Sequence, residues 1–455
     1  MPLVTQEQVF PWVEQVIGGR IVDYRRQGGR ESGGRPGWFL DCDVGGQPHR
    51  YYVRGSRGDE FGFTQDYSLA RETRVMQVLH REGIPVPAII AHSDDPDVTL
   101  MEYIEGENDF TLIDSPAQRD AVADDFARIM AQWHALDAQK FIDAGLACPQ
   151  SREDYVLQDL NVWEQGCLPY LREPVPIVSF TCKWLRENIP AAPDRPVLVQ
   201  GDTGPGQFLF VDDKVTSVVD WELAFLGDPM RELAQVRTRD VWYPTGNLTH
   251  WYRQYEHYAG IEIDYPRLRY YSVFAMFITT LALCPYVQQP NPRDEHAEWY
   301  AQDVWSKRAT AEALAESLGI ELESVDAPAI TPDRHAVLFD ILDDNLLGEQ
   351  LPAQPDSFMQ HRLEMMSRLL RYARNTAQYG REINAQELDD IASLLGRRQH
   401  DYASAMRALN DYVLQAGVGD YENIVRYFYR HARREEILMQ GALGRAENAV
   451  MAPIV

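Results

Sequence analysis

The segment VQGDTGPGQFLFVDDKVTSVVDWELAFLGDP, residues 199–229, constrains the fold more than any other stretch of this chain. Two short β runs, Val197–Val199 and Val215–Val219, flank a glycine-rich loop, and three polar residues, Asp202, Gln207 and Asp220, fall on loops at strand ends. A loop aspartate by itself is most simply a turn residue or a helix cap. Two aspartates and an amide at fixed spacing, each beside a β run, ask for a chemical explanation, because rigid strands commonly carry functional loops.

Phosphoryl transfer supplies one. It needs a carboxylate to accept the proton of the attacking hydroxyl, then an amide and a second aspartate to hold magnesium. The catalytic loop of protein kinases separates its aspartate and asparagine by four residues. Asp202 and Gln207 keep that separation, and Asp220 follows the next β run. On this reading Asp202 is the catalytic base and Gln207 and Asp220 are the metal ligands. The mechanism also needs a cation on a small-lobe strand, paired with a helical glutamate, to hold the nucleotide phosphates. No lysine precedes Lys140, so Arg54 at the end of a β run is the available cation, with Glu72 on the next helix as its partner. The glycine-rich stretch 28–34, including Gly33 and Gly34, brings backbone amides toward phosphates. Met101 to Tyr103, with Glu102 between, reads as the hinge strand that offers backbone groups to the base.

At this point the chain resembles the aminoglycoside phosphotransferase-like kinases. Their loop H-G-D-x-x-x-x-N is matched by Gln200-Gly201-Asp202 with Gln207, and their D-W-E and G-D-P by Asp220-Trp221-Glu222 and Gly227-Asp228-Pro229. Trp133-His134-Ala135-Leu136-Asp137 is similar to the family's helical L-H-x-L-D, and Met101-Glu-Tyr-Ile-Glu-Gly106 to its hinge. The similarity covers about residues 20 to 320. The runs G-D-x-G-P-G-x-F-L-F and D-W-E-L-A resemble those of bacterial relatives of acyl-CoA dehydrogenase-associated kinases, a group in which some members phosphorylate hydroxyacyl-CoA thioesters. The tail beyond about residue 335 resembles a small helical domain that accompanies some of these proteins. The resemblance implies an α+β, bilobal protein-kinase-like fold: a β-rich N-lobe over 1–104, a mainly helical C-lobe over 105–324, and an all-helical domain over 335–455. It implies a phosphotransferase that uses Mg2+ and ATP or GTP on the hydroxyl of a small molecule. Gln200 stands at the family's histidine and Gln207 at its asparagine, so the alternative reading is a catalytically degenerate nucleotide-binding or scaffold protein of the same fold.

Patterning along the chain agrees with that layout. Trp38–Val44 and His49–Arg54 read as strands joined by a Gly45-Gly46 turn. Ser68 to Arg81 and Asp120 to Lys140 read as amphipathic helices, the latter carrying His134 as a core histidine. The cluster Arg433-Arg434-Glu435-Glu436 reads as a solvent-facing helix side. Tyr270 to Val287 is uncharged and reaches the lower length limit of a membrane span. Its Ser, Thr and Tyr content and the lack of a second such stretch favour a helix buried in a large domain. With 69 acidic against 43 basic residues the net charge is -26, which argues against nucleic-acid and anionic-membrane partners. Five cysteines without a C-x-x-C pair, and no basic start leading into an apolar run, point to a reduced, cytoplasmic protein. The C-terminal helices are where a second copy or a partner enzyme is expected to dock.

Overall fold

The computed structural model describes residues 4–27, 35–56, 67–292, 295–329 and 335–454. The chain divides into two compact units. One comprises residues 1–166, 190–268 and 452–455; the other comprises 167–189 and 269–451. The segment 105–324 is thus shared between both.

The first unit opens with a five-stranded antiparallel sheet. Its strands are β1 (Arg20–Arg26), β2 (Gly37–Val44), β3 (Gln47–Gly55), β4 (Ile89–Asp94) and β5 (Asp97–Glu102), in spatial order β1-β2-β3-β5-β4. The β2–β3 turn falls on Gly45 and Gly46, both at positive φ (63° and 80°), as a two-residue hairpin with matching twist requires. Side chains alternate across β2. Trp38, Leu40 and Cys42 are buried with Val53, Val98 and Leu100 against Val9 and Val13 of the helix Gln6–Ile17. The intervening residues, with Tyr52 and Arg54 of β3, project from the opposite face. Helix Leu69–Arg81 starts where Ser68 accepts a hydrogen bond from the Arg71 N–H. It is fixed to the sheet by the buried pair Thr73–Thr99, whose hydroxyls lie 2.7 Å apart.

The rest of this unit is helical around two small ladders: β6 (Val197–Val199) paired with β9 (Phe225–Gly227), and β7 (Phe208–Val211) paired with β8 (Lys214–Val218). Behind them lie helices Pro116–Ala135 and Pro229–Trp242, the second capped by Asp228, which accepts from the Met230 N–H.

The second unit is all-helical among its described residues, with Pro176–Glu187, His296–Leu318, Ser357–Leu395, Tyr402–Gln415 and Tyr421–Leu438 as its principal helices. Helix Tyr265–Gln288 is long and apolar enough to cross a membrane by composition, but 67% of its most apolar window is buried. The solvent-facing reading of Arg433–Glu436 is corrected here. Arg434 and Glu436 are buried, because helices His296–Leu318 and Ser357–Leu395 both pack on Tyr421–Leu438 and bring opposite charges. Arg308 donates to Glu436 at 2.5 Å, and Arg434 donates to Glu387 at 2.5 Å and to Asp390 at 2.8 Å. Burial pushes the Glu387 carboxyl up, but His431 and Arg434 outweigh it and bring it down to about 2.

Candidate active site

β6 ends at Val199, and the chain turns through Gln200–Gln207 into β7. Gly201 sits at φ +96°, and a Cβ there would lie 2.6 Å from the Leu223 carbonyl oxygen, so the turn requires glycine. Gln200 is fully buried and ties two loops together. Its Nε2 donates to the carbonyls of Val219 at 2.9 Å and Asp220 at 2.7 Å, while its Oε1 accepts from the Asp202 N–H at 2.9 Å and the Thr203 hydroxyl at 3.0 Å. Its own N–H donates to buried Glu232 at 2.8 Å. A neutral amide thus holds the loops bearing Asp202 and Asp220 in fixed relation. Gln200→Leu would strand these buried groups. Its expected cost is about 2–4 kcal/mol, with each orphaned polar group accounting for roughly 1–3 kcal/mol. The melting temperature should fall accordingly.

Asp220 is one of two described non-glycine residues at positive φ (63°), a conformation uncommon outside functional or turn positions. It places the carboxylate, 31% exposed, beside Arg54, whose Nη2 donates to Asp220 Oδ1 at 2.7 Å and to Glu222 Oε2 at 2.9 Å. Arg54 Nη1 lies 3.5 Å from Glu72 Oε1. The expected Arg54–Glu72 pair therefore exists as part of a larger cluster, in which Arg35 also donates to Glu222 at 2.5 Å. Burial alone would lower the Arg54 guanidinium, but Glu72, Asp220 and Glu222 outweigh it and hold it well above its ordinary value. Burial raises the Glu72 carboxyl, and Arg54 and Arg35 offset this only in part, because Glu222 and Asp220 share the same cations. The Arg54 shift follows from the three carboxylates around its guanidinium, whereas the Glu72 shift follows first from burial.

Asp202 and Gln207 are also brought together, with Gln207 Nε2 donating to Asp202 Oδ2 at 2.6 Å. Asp220 Oδ2 and Gln207 Oε1 have no partner among the described residues. These two oxygens, next to a cluster with surplus negative charge, suit magnesium, which takes one or two protein oxygens alongside phosphates.

The sheet face above carries aromatic side chains. Ring centroids of Phe39 and Tyr52 lie 5.0 Å apart, Phe39 and Tyr103 5.8 Å apart, and the Arg50 guanidinium stacks 3.7 Å over Tyr103. Glu102 and Tyr103 line an open cleft of about 530 Å³ together with Arg50, Tyr51 and Glu105. The Glu102 N–H is engaged by the Ala88 carbonyl at 2.9 Å, so this hinge residue has no free N–H to offer. Gly33 and Gly34 lie outside the described residues. His134 is buried, with its ring nitrogens 2.7 Å from the Tyr255 hydroxyl and 3.4 Å from Glu232, as a core histidine should be.

Several site residues escaped the sequence reading. Glu232, Gln235 and Arg239 lie at i, i+3 and i+7 of helix Pro229–Trp242 and form one face directed at the Gln200–Gln207 loop. Gln235 Nε2 donates to Asp202 Oδ1 at 3.1 Å, Arg239 Nε donates to the same oxygen at 2.9 Å, and Arg239 Nη2 donates to Oδ2. Polar residues at helical spacing straight after Gly227-Asp228-Pro229 were the available signal. Burial would lower the Arg239 guanidinium, but Asp202 and Asp220 hold it above its usual value. Arg71 was missed too; it donates to the carbonyls of Glu222 at 3.0 Å and Ala224 at 2.9 Å.

Comparison with known proteins agrees with this geometry. Residues 44–271, half the chain, match the phosphotransferase enzyme family. The chain belongs to this family. A protein of Ralstonia eutropha JMP134, provisionally described as an aminoglycoside phosphotransferase, superposes with a TM-score of 0.50 at 22% identity, over 68% of this chain and 96% of its own, which establishes the kinase-like fold. Among curated proteins, acyl-CoA dehydrogenase family member 11 of Pongo abelii is 26% identical over 186 residues, 39% of this chain and 23% of that protein. Family member 10 of Mus musculus is 28% identical over 178 residues, 37% of this chain and 16% of its own length. The phosphotransferase match thus spans less than a quarter of either relative.

Proposed function

We propose that this chain is a small-molecule kinase that transfers the γ-phosphoryl group of ATP or GTP to a substrate hydroxyl. The observation that carries this reading is the pairing of Asp202 with Gln207 on one loop, with Asp220 and its uncommitted oxygen on the adjoining loop. Asp202 takes the acceptor hydroxyl's proton as the acceptor oxygen forms its bond to the γ-phosphorus. The bond from that phosphorus to the β–γ bridging oxygen breaks, and the nucleoside diphosphate leaves with the electron pair. Gln207 and Asp220 would hold magnesium, which neutralises phosphate charge in this chemistry. Arg54, oriented by Glu72, reaches the phosphates, and Phe39, Tyr52 and Tyr103 supply an apolar wall for the base.

The named acyl-CoA dehydrogenase relatives support a hydroxyacyl-CoA, or another hydroxylated metabolite, as acceptor. We place the protein in the cytoplasm, away from nucleic acid and membranes, with the helical 335–455 segment as the surface for a second copy or a partner enzyme. The test is transfer of label from γ-labelled nucleotide, with magnesium, to a panel of hydroxyacyl-CoA thioesters, hydroxy acids, amino alcohols and aminoglycosides. Label on one acceptor class is the expected result. Nucleotide binding with no label on any acceptor would favour the degenerate reading.

A further inference from the structure

Asp202 has no vacant acceptor position in this structure. A carboxylate offers about four lone-pair sites on its two oxygens. Oδ1 receives Arg239 Nε at 2.9 Å and Gln235 Nε2 at 3.1 Å, and Oδ2 receives Gln207 Nε2 at 2.6 Å together with Arg239 Nη2. A general base must lie within hydrogen-bond reach of the proton it removes. An acceptor hydroxyl therefore reaches Asp202 only when one of these donors withdraws.

The donors differ in freedom. Gln207 is buried, and its side chain leaves a backbone held on both sides, its N–H donating to the Gly204 carbonyl at 3.0 Å and its carbonyl accepting from Val219 at 3.0 Å. Gln235 is buried, and its Oε1 is held by Arg231 Nη1 at 3.0 Å. Arg239 sits at the rim, 21% exposed, and its Nη1 has no partner among the described residues. Arg239 is the donor that can move. Moved without compensation, it becomes a largely buried cation with no counter-charge, which is strongly unfavourable.

We infer that the acceptor is a hydroxylated metabolite with a free carboxylate or phosphate close to its hydroxyl, rather than a thioester whose acyl carboxyl is uncharged, and that this anion takes the Arg239 guanidinium from Asp202. The planar fork that now grips one carboxylate is suited to gripping another, so the exchange conserves charge and frees an oxygen of the base in the same event. Neutral alcohols would leave Arg239 on Asp202, and polycationic acceptors such as aminoglycosides would be repelled. Arg239 thereby acts as a positioning and specificity residue. This inference rests on the kinase reading of Asp202.

Two assays on the full chain separate the claims. In the first, the wild type and Arg239→Gln are compared with matched pairs: glycerate and glycerol 3-phosphate against glycerol, and 3-hydroxybutyrate against 1,3-butanediol. The wild type should prefer the anionic member, and Arg239→Gln should lower its kcat/KM by about 30-fold, as expected for losing a charge-paired contact, with the KM for nucleotide unchanged. Labelling of neutral or cationic acceptors in preference would overturn the inference while leaving the kinase reading intact. The second assay follows nucleotide hydrolysis to water with magnesium, which needs no acceptor. Acetate should stimulate the wild type, and Arg239→Gln should show the raised rate without acetate. Hydrolysis insensitive to acetate in both proteins would overturn the inference. If nucleotide binds but neither protein hydrolyses or transfers it, the kinase reading fails and takes the inference with it.

Discussion

Asp202→Asn is expected to lower phosphoryl transfer about a thousandfold, within the range of roughly 10²–10⁴ that a general base contributes, with nucleotide affinity nearly unchanged. The substitution keeps the shape of the side chain and removes its capacity to take a proton. Asp202 makes no hydrogen bond to Arg54, Glu72, Asp220 or the aromatic wall, and the asparagine that replaces it still offers Gln207 its amide oxygen, so the nucleotide seat persists. Asparagine also presents an amide N–H₂ to donors that now meet a carboxylate, namely Arg239, Gln235 and Gln207. A stability loss of about 1–3 kcal/mol should accompany the change, as expected for a lost charged hydrogen-bond partner. Steady-state kinetics and nucleotide titration on the same preparation separate the two effects. Turnover retained within a few fold would remove Asp202 from the base role.

Arg54→Met should be the most damaging change to stability in this unit. It takes a single guanidinium from between Glu72, Asp220 and Glu222 and leaves Arg35 to answer for Glu222 alone. Removing one partner from a buried charge cluster costs about 3–5 kcal/mol, and nucleotide binding should weaken along with it. The pH dependence has a definite sign. The folded Glu72 carboxyl already lies above its ordinary value because it is buried, and Arg54 is the first of the charges pulling it down. The native state therefore binds more protons at this site than the unfolded state does. The associated stability is present below the unfolded value of 4.5 and is lost as pH rises through the folded one. Without Arg54 the folded value rises further, so the melting-temperature gap between wild type and Arg54→Met should widen from pH 5 to pH 8. Arg54→Lys, which restores a charge without the fork, should narrow the gap but not close it. A gap that shrinks with rising pH would contradict this account of the cluster.

What could be read from the sequence was local or set by spacing. Gly45-Gly46 forces a turn by its own backbone freedom, and Ser68 caps the helix that follows it directly. The spacing of Asp202, Gln207 and Asp220 stood out because the proposed mechanism fixes such separations along the chain, and the structure brings Asp202 and Gln207 within hydrogen-bond reach. What escaped depends on partners distant in sequence. β1, Arg-Ile-Val-Asp-Tyr-Arg-Arg, is an exposed edge strand whose charged side chains mask its pattern until β2 pairs with it. β9 is only three residues and exists through its ladder with β6. Arg35 and Arg71 reach Glu222 and its neighbours across more than a hundred residues, and nothing near either arginine announces the contact. The charges at Arg434 and Glu436 were misread as solvated because the complementary Glu387, Asp390 and Arg308 stand on other helices. Periodicity marks which face of a helix is polar; it does not say whether another polar face will cover it.

The central claim is a metal-bridged nucleotide seat governed by Asp220, and calorimetric titration with ATP and with GTP, each with and without magnesium, tests it most directly. The account predicts binding of at least one nucleotide that requires magnesium and is lost in Asp220→Ala. Binding that ignores magnesium, or that survives Asp220→Ala unchanged, would contradict it, as would the absence of binding by either nucleotide.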